Sequence, residues 1–273
     1  MNLVDSHCHI QSIDSLEGEE TTKALWHKSG LRADEVLKSA IKSQVTKFIC
    51  VGCDLSDSRL AISFASQRDN CYVTIGIHPH EAQKYVNNQA KQTEFANLLT
   101  DIGQNKIVGI GECGLDYFYQ HSNRQDQAAI LRFQLDLAVQ YELPIVFHIR
   151  DAFQDFWPIF DSYQTKLKGV IHSFTDSKAT LMAALDRGLY IGVNGIATFA
   201  KQPAQQAMYN AIPINRLLLE TDSPYLTPTP YRGNINEPKH IMTIAEFLAN
   251  QRGESLKVLA ETTTINSHLL FGI

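Results

Sequence analysis

The stretch Val4-Asp5-Ser6-His7-Cys8-His9-Ile10 decides how the rest of the sequence is interpreted. It reads as a short apolar strand that runs directly into two histidines one residue apart. Because side chains alternate faces along an extended chain, His7 and His9 should point the same way and Cys8 the opposite way. Two imidazoles on one face form a pair of metal donors, although such a pair also occurs as polar residues leaving a sheet.

Seven further apolar stretches of strand length follow, separated by segments long enough for helices. They occupy residues 46–52, 71–77, 106–111, 144–147, 169–171, 189–193 and 216–220. No linker rich in proline, glycine or charge interrupts them. A doubly wound sheet is the alternative, but no G-x-G-x-x-G or P-loop follows any strand. The pattern therefore predicts one domain over residues 1–273, an α/β fold of the (β/α)8 TIM-barrel type with additional C-terminal helices.

Helical spacing of apolar residues locates several of the connecting helices. It predicts helices near residues 34–41, 60–67, 92–99 and 125–141, and two more at 241–250 and 256–270. Residues 11–33 are polar and mixed, and include Glu17-Gly18-Glu19-Glu20. We expect a long loop there, with a helical turn at most.

The bulk composition is that of an ordinary globular protein and argues against a broadly basic surface. The 273 residues are 44% hydrophobic and 19% charged, with a net charge of −5 and a pI of about 6.0. This balance argues against a broadly basic face that would hold nucleic acid by charge alone. A polyanionic substrate would need local cations, from side chains or from bound metal.

Cysteine usage and the absence of targeting signals indicate a reducing compartment. The five cysteines are scattered and do not form a disulfide framework. Cys50-Val51-Gly52-Cys53 has C-x-x-C spacing, but it ends a strand, and no second pair completes a zinc site, so no redox or zinc role is expected. No apolar run approaches the ~18 residues of a membrane span, and the expected location is the cytoplasm.

In a (β/α)8 barrel the chemistry gathers at the carboxyl ends of the strands, where the loops converge. The residues at those positions are His7, His9, His78, His80, Glu112, His148, His172 and Asp222. Each of these residues, taken alone, could have a purely structural role. A histidine can be a hydrogen-bonded loop residue, and a carboxylate can cap a helix or pair with an arginine. Four histidines and two carboxylates from this set, at five strand ends, together predict one basin for a pair of divalent cations.

Six segments resemble, in order, the signature of the TatD-type metal-dependent deoxyribonucleases. This family is similar to the amidohydrolase-like superfamily. These segments are Asp5-Ser6-His7-Cys8-His9, Gly76-Ile77-His78-Pro79-His80, Gly111-Glu112-Cys113-Gly114-Leu115-Asp116-Tyr117, His148-Ile149-Arg150-Asp151-Ala152, His172-Ser173-Phe174-Thr175 and Glu220-Thr221-Asp222-Ser223-Pro224-Tyr225-Leu226. Arg232-Gly233 and Asn236-Glu237-Pro238 extend the match. The resemblance covers essentially the whole chain.

The resemblance implies a barrel that carries two divalent metal ions, Mg²⁺, Mn²⁺ or Zn²⁺. It assigns one ion to His7, His9, Glu112 and Asp222, and the other to Glu112, His148 and His172. Glu112 would bridge the two ions. The implied activity is hydrolysis of DNA, notably the removal of nucleotides from a 3′ end. Gln11 and Asp176 depart from the family pattern, which bears on substrate fit because neither is an implied ligand.

Two cations in one pocket would activate water and neutralise a phosphodiester, and Asp222 is the carboxylate expected to take or orient the proton. Arg150 and Arg232 are candidates to grip a phosphate, or else to form structural ion pairs. His78 and His80 are expected around the metals or against the substrate, unless their role is structural. A charged pocket in an acidic protein suits short or single-stranded DNA ends, with no membrane and no obligate protein partner.

Two alternatives remain beside a phosphodiester hydrolase. An amidohydrolase-like enzyme acting on a C–N or ester bond of a small metabolite uses a similar His-x-His opening, but it usually has a carboxylated lysine where Glu112 stands. A non-catalytic metal-binding barrel would predict a degraded ligand set, whereas all six implied ligands are present. DNA and RNA both stay open as the polymer.

Overall fold

Eight parallel strands form one sheet whose order follows the chain. The computed structural model describes residues 1–15, 20–119 and 121–273, apart from the side chain of Thr165. The strands are β1 (Leu3–Cys8), β2 (Val45–Val51), β3 (Cys71–Ile75), β4 (Ile107–Asp116), β5 (Ile145–Arg150), β6 (Gly169–Ile171), β7 (Tyr190–Val193) and β8 (Leu217–Leu219). Neighbours in sequence are neighbours in the sheet from β1 to β8. The prediction of a (β/α)8 barrel is confirmed.

The first strand meets the segment that follows the last one, which nearly closes the barrel. A parallel bridge joins Cys8 to Ser223. The His9 amide donates to the Ser223 carbonyl at 2.8 Å, and the Asp222 amide donates to the His7 carbonyl at 2.9 Å. Residues more than two hundred positions apart therefore lie side by side at the carboxyl end.

Helices alternate with the strands. They are α1 (Glu20–Ser29), α2 (Ala33–Lys42), α3 (Leu55–Ser66), α4 (Gln89–Ala96), α5 (Arg124–Gln140), α6 (Phe153–Asp161), α7 (Lys178–Asp186), α8 (Pro203–Ala211), α9 (Ile241–Arg252) and α10 (Leu256–Phe271). Several begin at polar caps: the side chain of Asn123, for example, accepts from the Asp126 amide and starts α5. The two predicted C-terminal helices are α9 and α10.

The prediction of a loop over residues 11–33 is wrong in part. Helix α1 occupies Glu20–Ser29, while residues 16–19 lie outside the described residues. This helix buries little besides Thr22 and Trp26, so its sequence carries a weak helical period. Trp26 fixes it to the barrel, because its indole N–H donates to the His9 carbonyl at 2.8 Å.

Strand β4 also extends further than predicted, through Asp116 instead of ending at residue 111. Its glycines, which suggest a break in sequence, permit close packing here. Gly111 has φ +139°, and a Cβ at this position would lie 2.5 Å from the Val146 carbonyl oxygen. The extended strand pairs with β5 as far as Asp116 and Arg150.

A separate apolar cluster fills the barrel. Because strand residues alternate faces, Ile49, Val146 and Leu218 form a cluster distinct from the one that packs under the helices. Leu270 and Phe271 of α10 join this inner cluster. Helix α10 lies at the amino end, since its Thr264 hydroxyl is bonded to the carbonyl of Asn2, just before β1.

All five cysteines are free thiols in the structure. None of the described helices has the length and apolar character needed to cross a bilayer. The cytoplasmic location and the single domain over residues 1–273 stay predictions.

Candidate metal centre

The predicted His-x-His pair faces the carboxylate that follows β8. The Nε2 atoms of His7 and His9 lie 3.2 Å apart, which confirms that the two rings share a face. Asp222 Oδ1 is 3.3 Å from His9 Nε2 and 3.5 Å from His7 Nε2. The opposite-facing Cys8 thiol reaches the Ile49 carbonyl within the core. Barrel closure thus brings the first and last predicted donors together.

Glu112 lies between this group and two further histidines, His148 within β5 and His172 just after β6. Its Oε2 is 3.4 Å from His7 Nε2, while its Oε1 is 2.7 Å from His148 Nδ1 and 3.5 Å from His172 Nε2. Gly76 makes room for it: a Cβ there would lie 2.4 Å from the Glu112 amide nitrogen. One carboxylate therefore faces both groups of donors.

The spacing of these atoms fits the coordination shell of a small cation. The separations among His7 Nε2, His9 Nε2, Asp222 Oδ1 and Glu112 Oε2 given above lie between 3.2 and 3.5 Å. Bonds of about 2.0–2.1 Å to a tetrahedral ion would hold neighbouring donors about 3.3–3.4 Å apart. Among the described residues, four donor groups meet the distance requirement for metal binding: His7–His9–Asp222, His78–Glu112–His148, His7–His172–Glu220 and His9–Cys53–Glu112. All six residues implied as ligands belong to these groups.

Two carboxylates that the sequence analysis left without a role hold the outer histidines. Asp116 Oδ2 is 2.9 Å from His148 Nε2 and 3.1 Å from His80 Nε2. Glu220 Oε1 is 3.0 Å from His172 Nδ1. A carboxylate on the second ring nitrogen fixes the orientation of an imidazole that could bind metal through the first. Glu220 is the last residue of the predicted eighth strand, so its place at the carboxyl end was predictable but its contact with His172 was not. Asp116 lies beyond the predicted end of the fourth strand at residue 111.

Cys53 and His78 also reach the centre. The Cys53 thiol lies 3.9 Å from Glu112 Oε2 and 4.0 Å from His9 Nδ1. It was given no role from sequence, although it follows β2 as the other donors follow their strands. His78 Nε2 is 3.8 Å from Glu112 Oε1, and its ring packs 4.5 Å from that of His148.

Charges inside the centre keep its carboxylates ionised. Burial opposes ionisation of Glu112, but attraction to His172 and hydrogen bonds with His148 and His7 hold its pKa well below the usual range. Burial likewise opposes ionisation of Asp222, whose pKa is lowered by its contact with His9. Near neutral pH both are anions, so the buried pocket attracts cations.

The pKa values of the histidines are shifted in opposite directions by their surroundings. Burial opposes protonation of His172, but attraction to Glu220 and Glu112 raises its pKa to about 9. Burial and the neighbouring His148 push the pKa of His78 well below its ordinary value. His78 is therefore neutral at pH 7, which is the form of imidazole that binds metal.

Arg150 and Arg232 form no ion pair with any residue that the structure describes. The alternative of a structural ion pair is therefore not observed for either arginine. The Arg150 guanidinium lies 3.9 Å over the ring of Phe118. Arg232 lies 4.0 Å over Phe199 and donates to the Thr227 carbonyl at 2.9 Å. Both are exposed to solvent.

The two departures from the family pattern have structural roles. Gln11 is buried and donates to the Val51 carbonyl at 2.8 Å and to Asp57 at 3.1 Å. Asp176 accepts from the Ser177 amide and the Thr180 hydroxyl, both at 2.6 Å, at the start of α7. A second carboxylate at position 11 would face Asp57, which explains a neutral side chain there.

Comparisons with known proteins identify the family of the chain. A family model described as TatD related DNase matches residues 4–272. A protein of Escherichia coli named "Uncharacterized metal-dependent hydrolase YcfH" is 34% identical over 276 residues, covering 100% of this chain and 97% of the relative. A protein of Citrobacter koseri named "3′-5′ ssDNA/RNA exonuclease TatD" is 34% identical over 247 residues, covering 88% and 93%. The solved structure of the TatD homologue YjjV from Escherichia coli has a TM-score of 0.84 at 23% identity, covering 99% and 98%.

A barrel with histidines and carboxylates converging at its carboxyl end, together with these relatives, defines a metal-dependent hydrolase. The match to the family model spans nearly the whole sequence. The chain belongs to the TatD family, and the resemblance found in its sequence is confirmed.

Proposed function

We propose that this protein is a two-metal-dependent phosphodiesterase that removes nucleotides from the 3′ end of single-stranded or frayed DNA. The observation that carries the proposal is the position of Glu112, whose two oxygens face separate groups of histidines. A carboxylate that can contact two ions at once suits a dinuclear hydrolytic site. The name of the Citrobacter koseri relative supports a nucleic-acid substrate.

His7, His9, Asp222 and Glu112 would hold one ion, and Glu112, His148 and His172 the other. Mg²⁺, Mn²⁺ and Zn²⁺ all suit this mixture of nitrogen and oxygen donors. When bound, such a pair supplies Lewis acidity that activates water and neutralises the phosphodiester under attack. Asp116 and Glu220 keep the rings of His148 and His172 oriented towards Glu112.

Asp222 is the residue placed to accept the proton of the attacking water. Its carboxylate is ionised near neutral pH and is 14% exposed, against 5% for Glu112. It is therefore the more accessible of the two carboxylates that contact His7. Its amide is bonded to the His7 carbonyl, which fixes the backbone that carries it. An ionised, accessible carboxylate held in a fixed position can accept or orient the proton of a nearby water.

Arg150 and Arg232 would bind backbone phosphates. A guanidinium presents several N–H donors in one plane. Neither the guanidinium of Arg150 nor that of Arg232 pairs with a carboxylate of the described residues. Because the 29 acidic residues outnumber the 24 lysines and arginines, phosphate binding would depend on local cations such as these. A short contact at a strand end suits this distribution better than a long grip on duplex.

Labelled oligonucleotides test the activity and its polarity. Protein reconstituted in turn with Mg²⁺, Mn²⁺ and Zn²⁺ is incubated with single strands labelled at the 3′ or the 5′ end. We expect immediate release of the 3′ label as mononucleotide, and stepwise shortening of the 5′-labelled strand. Absence of nucleotide release with every metal would contradict the proposal, and turnover of a cyclic amide or ester instead would favour the amidohydrolase alternative.

A matched pair of variants assigns the activity to the centre. Glu112→Gln keeps the side-chain volume but removes the charge, and should abolish release. Glu94→Gln makes the same change at an exposed surface carboxylate paired with Arg59, and should behave as wild type. Hydrolysis that persists unchanged in Glu112→Gln would remove the bridging role.

A further inference from the structure

Exposed aromatic side chains lie immediately after β4, beside the candidate centre. Phe118 is 55% exposed and Tyr119 is 43% exposed, and their rings lie 4.9 Å apart. Exposing two adjacent aromatic rings to water is unfavourable in free energy, and exposed apolar surface of this kind typically marks a binding site. The surface continues with histidines, since Tyr119 lies 5.7 Å from His121 and 5.4 Å from His80.

Asp116 ties this loop to the centre. Its Oδ2 faces His148 and His80, whereas its Oδ1 accepts hydrogen bonds from the amides of Phe118 and Tyr119, both at 3.0 Å. One carboxylate thus orients a candidate metal ligand and fixes the backbone under the two rings. The aromatic pair therefore has a defined position at the rim of the site.

Arg150 adds a cation to the same surface. Its guanidinium lies 3.9 Å over the Phe118 ring and 5.0 Å from the centre of the Tyr119 ring. It makes no hydrogen bond with the residues that the structure describes, so its N–H groups stay available. Aromatic faces beside a free guanidinium suit a nucleotide, whose base can stack while its phosphate accepts from the arginine.

We infer that Phe118, Tyr119 and Arg150 form a stacking platform for unpaired nucleobases of the strand that enters the centre. The inference rests on the proposed function and specifies which residues hold the bases of its single-stranded substrate. Unpaired bases present their faces to aromatic rings, whereas bases within a duplex are stacked on one another. Stacking also supplies affinity that the net charge of −5 does not.

Binding to a hydrolysis-resistant strand measures the platform without activity. A fluorescent phosphorothioate oligonucleotide is titrated with Mg²⁺-loaded protein, and the dissociation constant is read from anisotropy. The double variant Phe118→Ala/Tyr119→Ala should bind about 5- to 150-fold more weakly for each base that loses its stacking partner. Leu269→Ala is the matched control, because it removes a 70% exposed apolar side chain from α10, at the other end of the barrel.

Variants that keep or lose the π face separate stacking from bulk. Phe118→Tyr and Tyr119→Trp should retain affinity, while Phe118→Leu should lose it despite its apolar side chain. Duplex of the same sequence should bind more weakly, and equally to wild type and double variant. An unchanged dissociation constant in the double variant, or full affinity in Phe118→Leu, would overturn the platform.

Abasic substitutions locate the stacked bases. Replacing one base at a time from the 3′ end should weaken wild-type binding at one or two adjacent positions. The same substitutions should have no effect in the double variant, because the missing base then has no ring to contact. Equal losses in both proteins would overturn the inference. Parallel DNA and RNA strands report whether the platform distinguishes the sugars.

The outcomes for platform and function are separable. Hydrolysis by wild type with unchanged binding and KM in the double variant retains the function and rejects the platform. Base-dependent binding lost in the double variant, without hydrolysis by any metal-loaded form, retains the platform and rejects the proposed reaction. Failure of wild type to bind any single strand overturns both.

Discussion

The two ends of the barrel are built from opposite kinds of residue. At the amino end, Leu270 and Phe271 of α10 pack against the apolar side chains inside the strands. At the carboxyl end, His7, Glu112 and His172 are buried where apolar residues would stabilise the fold more. The difference shows that one end supplies stability, while the other gives up stability to hold charged groups together for chemistry.

The largest expected effect at the polar end is that of Asp222→Asn. This change keeps the size of the side chain but removes the charge and the proton acceptor. We expect kcat/KM for single-stranded DNA to fall about 1000-fold or more, since general-base and metal contributions are both reduced. Steady-state kinetics on the metal-loaded protein measures it.

A surface carboxylate provides the control for Asp222→Asn. Asp161 lies at the end of α6 and pairs with Arg187, with its side chain 49% exposed. Asp161→Asn should leave kcat/KM within about twofold, because exposed ion pairs contribute little. A loss for Asp222→Asn no larger than that would contradict the role assigned to it.

At the apolar end we expect the reverse pattern. Leu270→Ala removes a side chain that is 3% exposed and should lower the free energy of unfolding by about 2–4 kcal/mol. Its neighbour Leu269 is 70% exposed, and Leu269→Ala should change stability by about 0.5 kcal/mol or less. Denaturant unfolding measures both. Below the unfolding transition, neither Leu270→Ala nor Leu269→Ala should alter metal content or kcat. A change in either quantity would contradict the assignment of stability to one end and chemistry to the other.

A smaller effect is expected for Asp116→Asn, next to the centre. Asparagine keeps an oxygen for the amides of Phe118 and Tyr119 but loses the charge that faces His148. We expect metal affinity to fall about 10- to 100-fold, the usual cost of losing a carboxylate behind a metal-binding histidine. Competition with a chromophoric chelator measures it. Unchanged affinity would limit Asp116 to a structural role.

The smallest effect concerns pH and a histidine just before α9. Burial and the neighbouring Lys239 lower the pKa of His240 to about 4, against 6.5 in an unstructured chain. The unfolded chain then binds a proton more readily than the folded protein between these values, so stability falls as pH drops from 6.5 towards 4. His240 should account for about 1 kcal/mol of the loss between pH 7 and 5.5.

Urea unfolding of wild type and His240→Asn at both pH values isolates that contribution. The variant should lose about 1 kcal/mol less than wild type over the same interval. An identical loss in the two proteins would show that His240 does not titrate as its burial implies.

Much of the fold was predictable because its strands are nearly continuous apolar runs, as parallel strands buried on both faces must be. The donors His7, His9 and Glu112 were predictable because a parallel barrel brings all strand ends to one face. Helix α1 was missed because it buries mainly Trp26 and Thr22, and the extension of β4 because Gly111 reads as a break in sequence.

The supporting residues could not be predicted because their roles depend on contacts between distant strands. Asp116 gains its role from His148 on β5, and Glu220 from His172 after β6. Cys53 lies close to Glu112 because the Glu112 amide donates to the carbonyl of the adjacent Gly52. Phe118 and Tyr119 had no role assigned from sequence, because their exposure and their contact with Arg150 depend on the loop geometry.

Metal counting tests the central claim, that Glu112 joins two cations in one centre. Wild type and Glu112→Gln are reconstituted, freed of loosely bound metal by gel filtration, and analysed by elemental mass spectrometry, with circular dichroism to confirm that both are folded. We expect two ions per chain in wild type and at most one in Glu112→Gln. One ion or none in wild type, or two retained in the variant, would contradict the dinuclear centre.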